Sequence, residues 1–197
     1  MYIYLVTVSL VYQVSWKTVQ EKRFEARQEM EQNGDGDCAK TILDEVEYFP
    51  VCEDPDNEVT CQFEDGYGGE RNYGGKRRHE GIDVMASRDE PACLLICSVS
   101  DGVVEQIGWL KLGGYRIGIR SDSGMYYYYA HLDHYAEGIG KGTRVRAGDV
   151  IGAMGDTGYG PEGTRGKFAV HLHFGIYCPR NGQDCSINPY PVLQFLK

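Results

Sequence analysis

The chain has 197 residues and a formal charge of −9, with 20 Lys and Arg against 29 Asp and Glu. That length supports one sizeable core, and nothing in the charge resembles the basic footprint of a nucleic-acid binder. The acidity is local: residues 1–61 hold 5 Lys/Arg against 13 Asp/Glu and residues 62–197 hold 15 against 16, so the larger part carries no strong bias for or against an anionic polymer.

The first segment, Met1 to Trp16, is apolar with aromatic residues at its edges. A bilayer span needs about 20 residues, and this stretch lacks a basic leader and a small-residue cleavage site. Lys17, Lys22, Arg23 and Arg27 follow it and would orient a span the wrong way for an exported domain. Two readings stay open, the remnant of a signal anchor or an element packed on the domain. Residues 17–33, rich in Glu, Lys, Arg and Gln, read as a helical spacer ending at Asn33-Gly34. Asp35 to Asp56 reads as a solvated acidic linker with one docked piece, Tyr48 to Val51. An inhibitory segment lying over a cleft is the less favoured alternative. The expected division is thus 1–16, 17–61 and a globular domain at 62–197.

From residue 62 onward short apolar runs alternate with Gly-rich turns, the pattern of a mostly β, antiparallel domain. His79-Glu-Gly-Ile-Asp83 opens it. In a regular strand His79 and Asp83 would stand about 13 Å apart; Gly81 permits the chain to bend between them. Met125 to Ala130 is a Tyr-rich strand ending at His131, which taken alone reads as a buried core histidine. His134 lies in a polar Asp-His-Tyr loop and reads as a surface histidine. Gly152 to Gly160, continuing through Lys167, is expected to rim a cleft. Trp109, Tyr115 and Tyr159 could pack glycan or peptide, although isolated aromatics more often serve packing. In Ala169 to Tyr177, strand alternation places Val170, Leu172, Phe174 and Ile176 on one face and His171 and His173 on the other.

Seven cysteines suit an oxidising compartment. Cys178 to Cys185 centres on Asn181-Gly182, a strong hairpin signal. The implied register sets Arg180 against Gln183, Pro179 against Asp184 and Cys178 against Cys185, which makes the last two a candidate disulfide. Cys52 and Cys61 flank a Pro-Asp-Asn turn and form a second candidate pair. Cys38 receives no partner, whether Cys93 and Cys97 pair stays open, and the odd count leaves at least one thiol free or intermolecular.

An imidazole and a carboxylate four residues apart, joined by two imidazoles two residues apart, are the ingredients of a catalytic zinc site with an open position. These residues, together with Asp101-Gly-Val-Val104, His131-Leu132, Val145 to Gly152, Gly155-Asp-Thr-Gly158, His171-Leu-His-Phe174 and Asn188-Pro189, resemble the lysostaphin-type zinc endopeptidases that cut the peptide part of bacterial peptidoglycan. The resemblance runs from about Gly66 to Leu193. It implies zinc held by His79, Asp83 and His173, with His131 and His171 as catalytic, non-ligand histidines. It also implies a sheet-floored cleft walled by loops, a peptidoglycan stem peptide or crossbridge as substrate, and a monomer. Bacterial extracytoplasmic action, secreted or membrane-anchored, is implied as well, and this favours the anchor reading of residues 1–16. Tyr73 stands six residues before His79, where some relatives have a tyrosine thought to steady the transition state. The alternatives are a non-catalytic envelope protein that binds or activates a hydrolase, and a small-molecule metal hydrolase. Relatives of the first kind usually lose ligands, and this chain keeps all five residues.

Overall fold

The computed structural model describes residues 2–52, 56 and 58–197, with side chains from Trp16 onward. Its order is α1 (Tyr2–Gln32), α2 (Gly36–Glu45), β1 (Cys61–Phe63), β2 (Glu70–Arg71), β3 (Arg77–Arg78), β4 (Ile82–Ala86), β5 (Leu95–Cys97) and β6 (Gly102–Leu110). It continues through β7 (Gly114–Arg120), β8 (Tyr126–Tyr135), β9 (Arg144–Val145), β10 (Val150–Met154), β11 (His171–Arg180), β12 (Gln183–Ile187) and α3 (Tyr190–Leu196). Ten strands form one sheet whose main path is β1-β4-β11-β8-β7-β6-β9; β12 pairs β11, β10 joins β8 to β5, and β2-β3 is a separate hairpin. The paired strands run antiparallel, as the expected mostly β fold requires.

Alternation sorts the two faces of the sheet. Leu172, Phe174 and Ile176 of β11, Tyr127 and Tyr129 of β8 and Ile117 and Ile119 of β7 are fully buried. They share one core cluster with Ala26 and Met30 of α1, Ile42 and Leu43 of α2 and Val192 and Leu193 of α3. The helices therefore cover one face of the sheet, and the opposite face is left for a cleft. Core tyrosines bury their rings because their hydroxyls find partners: Tyr129 accepts from the Val99 amide at 3.0 Å, and Tyr127 donates to Glu45 at 2.6 Å.

The α1 helix ends where Asn33-Gly34 predicts. Gly34 adopts φ 87°, and the amides of Gly34 and Asp35 close back on the carbonyls of Glu31 (3.2 Å) and Met30 (2.8 Å), a Schellman closure that needs a residue free to turn left-handed. The segment after this turn is not the expected solvated linker. Cys38, Ala39, Ile42 and Leu43 form a buried stripe on α2, at the spacing of an amphipathic helix; the surrounding acidic residues mask that stripe in any average of charge. Val51 docks against Ile96 through an isolated bridge, as the expected docked piece should. These residues pack on the helical face of the sheet and do not lie over the cleft. No helix among the described residues is long and apolar enough to cross a membrane. The anchor reading rests on residues 1–16, whose side chains before Trp16 lie outside the described ones.

The Asn181-Gly182 hairpin forms in the expected register, Cys178 opposite Cys185 included, with both turn residues at positive φ. The disulfide expectation nonetheless fails. Cys178 meets Cys38 of α2 at disulfide distance, Cα–Cα 6.4 Å, and Cys185 is free. Facing residues of a hydrogen-bonded antiparallel pair hold their side chains farther apart than those of a non-hydrogen-bonded pair, and a disulfide needs Cβ atoms about 3.5–4.5 Å apart. Cys178 instead points into the packed face, where α2 presents its own sulfur. Cys52 likewise meets Cys97 (Cα–Cα 5.6 Å), not Cys61; Cys61 and Cys93 are free. Here the chain of Pro50 to Cys52 runs beside β5, bonded through Cys52 N to Leu95 O and Cys97 N to Pro50 O. Arg180 completes the clamp on α2, reaching Asp37 at 2.6 Å and Asp35 at 3.1 Å.

Candidate metal centre and active site

The cleft face of β11 receives His171 and His173, as alternation demands. In register, His173 stands opposite Asp83 of β4 on one side and Ala130 of β8 on the other. His79 enters from just after β3. The β2-β3 hairpin holds it by main-chain bonds, His79 N to Gly69 O at 2.9 Å and Gly68 N to His79 O at 2.8 Å. The bend from His79 to Asp83 does pass through Gly81, but the physical reason differs from the expected one. Gly81 is not among the residues with positive φ. It is needed for space: a Cβ there would lie 2.5 Å from the Phe174 carbonyl and 2.7 Å from His173 Nε2.

Three atoms converge. His79 Nε2 lies 3.0 Å from Asp83 Oδ1 and 2.9 Å from His173 Nδ1, and His173 Nδ1 lies 3.1 Å from Asp83 Oδ1. Two contacts compete for the far nitrogen of His79, the Gly66 carbonyl at 3.0 Å and Arg71 Nη2 at 2.9 Å. Arg71 Nη2 also donates to Asp83 Oδ2 at 2.6 Å, the shorter, charge-assisted bond. The Nδ1 proton of His79 is therefore directed to Gly66, and its Nε2 lone pair faces inward. Asp83 Oδ1 and His79 Nε2 are then both acceptors, with a single His173 proton to share. Such a set of two imidazole nitrogens and one carboxylate oxygen is satisfied by a divalent cation and suits zinc. Burial alone would raise the Asp83 carboxyl, but its close polar contacts with His173 and His79 outweigh it and hold the group well below the usual carboxylate range. Burial lowers His173, opposed by Asp83. A second donor cluster, Asp37, Cys38 and Cys178, has its two sulfurs committed to each other.

His131 reaches the same cleft by an irregularity. Strict alternation from Tyr127 and Tyr129 would turn it into the core. Instead His131 adopts φ 63°, the β7–β8 register shifts beside it, and Leu132 takes the core position with no exposure. A bulge of this kind re-aims one side chain. The Nδ1 of His131 donates to Thr157 O at 2.7 Å, and that of His171 donates to Ala169 O at 2.8 Å. Both rings thus turn a bare Nε2 to the cleft. Their centroids are 4.7 Å apart, and Phe168 packs on each, at 4.5 and 4.9 Å. Burial, then the neighbouring His171 and His173, pushes the His131 pKa well down, so this ring is neutral near pH 7. His134 lies outside the site, exposed and paired with Asp133 at 2.7 Å.

The cleft measures about 450 Å³. Of the stretch expected to rim the cleft, residues 152–154 are part of strand β10 and Tyr159 lines the cleft from the loop that follows, which Arg165 ties down through Asp133. Tyr73 is not among the residues that line the cleft. Its ring stacks on Tyr159 at 4.2 Å and its hydroxyl donates to the Tyr159 carbonyl at 2.6 Å. Trp109 supports the loop through Gly160 O (3.2 Å) and packs edge-on to Tyr115 at 5.1 Å. Arg71, Thr157 and Phe168 escape sequence reasoning as site residues; only Thr157, within Gly155-Asp-Thr-Gly158, sits in a recognisable motif.

The sequence model of peptidase family M23 matches residues 77–189. An L-Ala–D-Glu endopeptidase of Bacillus subtilis is 46% identical over 128 residues, 65% of this chain and 38% of that protein. The glycyl-glycine endopeptidase ALE-1 of Staphylococcus capitis is 30% identical over 118 residues, 59% of this chain and 29% of that protein. The chain thus spans less than two fifths of these relatives' length. A crystal structure from Ruminococcus gnavus, provisionally described as a glycyl-glycine endopeptidase, superposes with a TM-score of 0.74 at 50% identity, covering 80% of this chain and 63% of that one. The family match spans more than half of the sequence and contains His79, Asp83, His131, His171 and His173, and on that ground the chain belongs to peptidase family M23.

Proposed function

We propose that this chain is a zinc-dependent endopeptidase acting on the stem peptides of bacterial peptidoglycan outside the cytoplasmic membrane. The observation that carries the reading is the convergence of His79 Nε2, Asp83 Oδ1 and His173 Nδ1 beside two imidazoles with bare Nε2 atoms. His79, Asp83 and His173 would hold the zinc. When bound, that ion polarises a scissile carbonyl and makes water acidic enough to attack near neutral pH. The chain's own groups do the rest. His131, kept neutral by burial, and His171 stand where one can take the water's proton and one can deliver a proton to the leaving amine. Their Nδ1 bonds to Thr157 and Ala169 hold both tautomers. Arg71 grips Asp83 Oδ2 and leaves Oδ1 for the metal.

Of the two curated relatives, the L-Ala–D-Glu endopeptidase at 46% identity against the glycyl-glycine endopeptidase at 30% favours a stem peptide over a glycine crossbridge; the Ruminococcus gnavus structure, 50% identical, carries its glycyl-glycine description only provisionally. The two cysteine pairs suit an oxidising compartment, and residues 1–16 would supply the membrane anchor. All five site residues come from a single chain, which suits a monomer. The test is digestion of purified peptidoglycan by the full chain, with product masses. New amino termini should appear, vanish with chelator and return with zinc. Stoichiometric zinc uptake without any release of peptide would overturn the reading.

A further inference from the structure

We infer that Arg116 is a specificity determinant that reads a free carboxylate on the substrate residue next to the scissile bond. The inference deepens the stem-peptide reading and rests on it. The cleft is lined by four arginines, Arg71, Arg77, Arg78 and Arg116, against the carboxylates Glu80 and Asp83. Three of the four have work inside the protein. Arg71 is bound to Asp83 at 2.6 Å, Arg77 reaches the Tyr159 hydroxyl at 3.4 Å while its Nε stays buried without a partner, and Arg78 reaches the Gly68 carbonyl at 3.5 Å. Among the described residues the Arg116 guanidinium makes no hydrogen bond and no ion pair, and its Nη1 is buried without a partner. A guanidinium cannot shed its charge at accessible pH, and a buried donor left unpaired is costly. An acceptor brought by the substrate would satisfy that donor.

Position agrees with that assignment. Arg116 lies on β7 at the register shift beside His131. Its face is shared with Gly118, opposite Tyr128, and with Arg120, opposite Tyr126. Its charge acts on the hydroxyls of Tyr126, Tyr128 and Tyr135. His173 pairs with Ala130 on β8, and β7 is the next strand. Two strand spacings separate the backbones of His173 and Arg116, about 10 Å. Consecutive substrate Cα atoms are about 3.8 Å apart, so a guanidinium reaching back from there meets the residue adjoining the cleaved bond. An acidic residue joined to its neighbours through its amine and one carboxyl keeps the other carboxylate free, and the planar guanidinium fork matches that group in two parallel bonds. A glycine crossbridge offers no such group.

The experiment uses two synthetic stem peptides that differ at one group, a free Glu carboxylate or its carboxamide, with zinc-loaded wild type, Arg116→Gln and Arg116→Lys full chains. Cleavage is read as kcat/KM, and binding of both peptides is read by calorimetry. Wild type should prefer the carboxylate peptide about 10–100-fold in kcat/KM. Arg116→Gln should bring the two peptides to near equality by losing the carboxylate peptide alone, and Arg116→Lys should restore part of the preference. A wild type indifferent to the change, or a preference that survives Arg116→Gln, overturns the inference. If wild type cleaves neither peptide the functional reading fails, and binding decides this one: an Arg116-dependent preference for the carboxylate peptide upholds it, and equal binding overturns it.

Discussion

Replacing Gly81 by Ala strikes the ligand set without touching a ligand. The added Cβ would sit 2.5 Å from Phe174 O and 2.7 Å from His173 Nε2. Ordinary contact begins near 3.4 Å, so β4 and β11 must part by nearly an ångström at this point. Two residues along the same ladder stands Asp83 opposite His173, and metal–ligand distances tolerate only about 0.2 Å. Overpacking of this kind costs about 1–3 kcal/mol. Displacing a support of the ligands typically lowers metal affinity about 10–100-fold. The assay is chemical denaturation of metal-free protein together with zinc competition against a chromophoric chelator. Gly140→Ala is the control, because its Cβ would meet nothing nearer than Thr143 Oγ1 at 4.0 Å. Gly81→Ala should lose both stability and zinc affinity, and the control should lose neither. Wild-type zinc affinity in Gly81→Ala would refute the close approach of Gly81 to His173 as the reason for glycine.

Further outcomes are expected elsewhere. Arg71→Ala should lower zinc affinity about 10–100-fold, since Asp83 Oδ2 loses its bond and Oδ1 its orientation; unchanged zinc competition would remove Arg71 from the metal's support. Peptide mapping under non-reducing conditions should recover Cys38 with Cys178 and Cys52 with Cys97. Cys38→Ser should then destabilise by up to about 5 kcal/mol, the loop entropy expected for a 140-residue separation; a Cys178–Cys185 peptide would contradict the pairing. Arg120 joins Glu105 and Asp184 at 2.7 Å each and holds both carboxyls below their usual range. Depressed carboxyls contribute stability above the unfolded carboxylate range and lose it as pH falls through their lowered folded values, so Arg120→Gln should cost below about 1 kcal/mol per pair at pH 7 and progressively less on acidification. A Tm difference that does not shrink as the pH is lowered would assign the effect to packing of Arg120 over Tyr126.

Local patterns carried much of this molecule. Alternation in Val170 to Ile176 sorts core from cleft because each strand residue answers only to its parity, and the Asn181-Gly182 turn sets its own register. The grouping of His79, Asp83 and His173 came from the family resemblance, since spacing alone would leave His79 and Asp83 about 13 Å apart in a regular strand. What escaped depends on distant partners. Cys178 takes a sulfur 140 residues away rather than its facing neighbour. The α2 helix looked solvated because its four buried residues are diluted by acidic ones. The bulge that turns His131 out of the core has no signature in the Tyr-rich strand before it; the left-handed φ is imposed by Gly113 O, which accepts the His131 amide at 2.8 Å, and by the Thr157 carbonyl at its ring. Arg71 becomes visible only once β2 and β3 fold back beside Asp83.

The most direct test of the central claim compares zinc content and turnover in His173→Ala and His131→Ala, purified alongside wild type and checked for fold. The account predicts that His173→Ala loses its zinc. His131→Ala should keep zinc at the wild-type level and lose turnover about 10²–10⁴-fold. Equal, wild-type zinc in both variants, or undiminished turnover in His131→Ala, would contradict it.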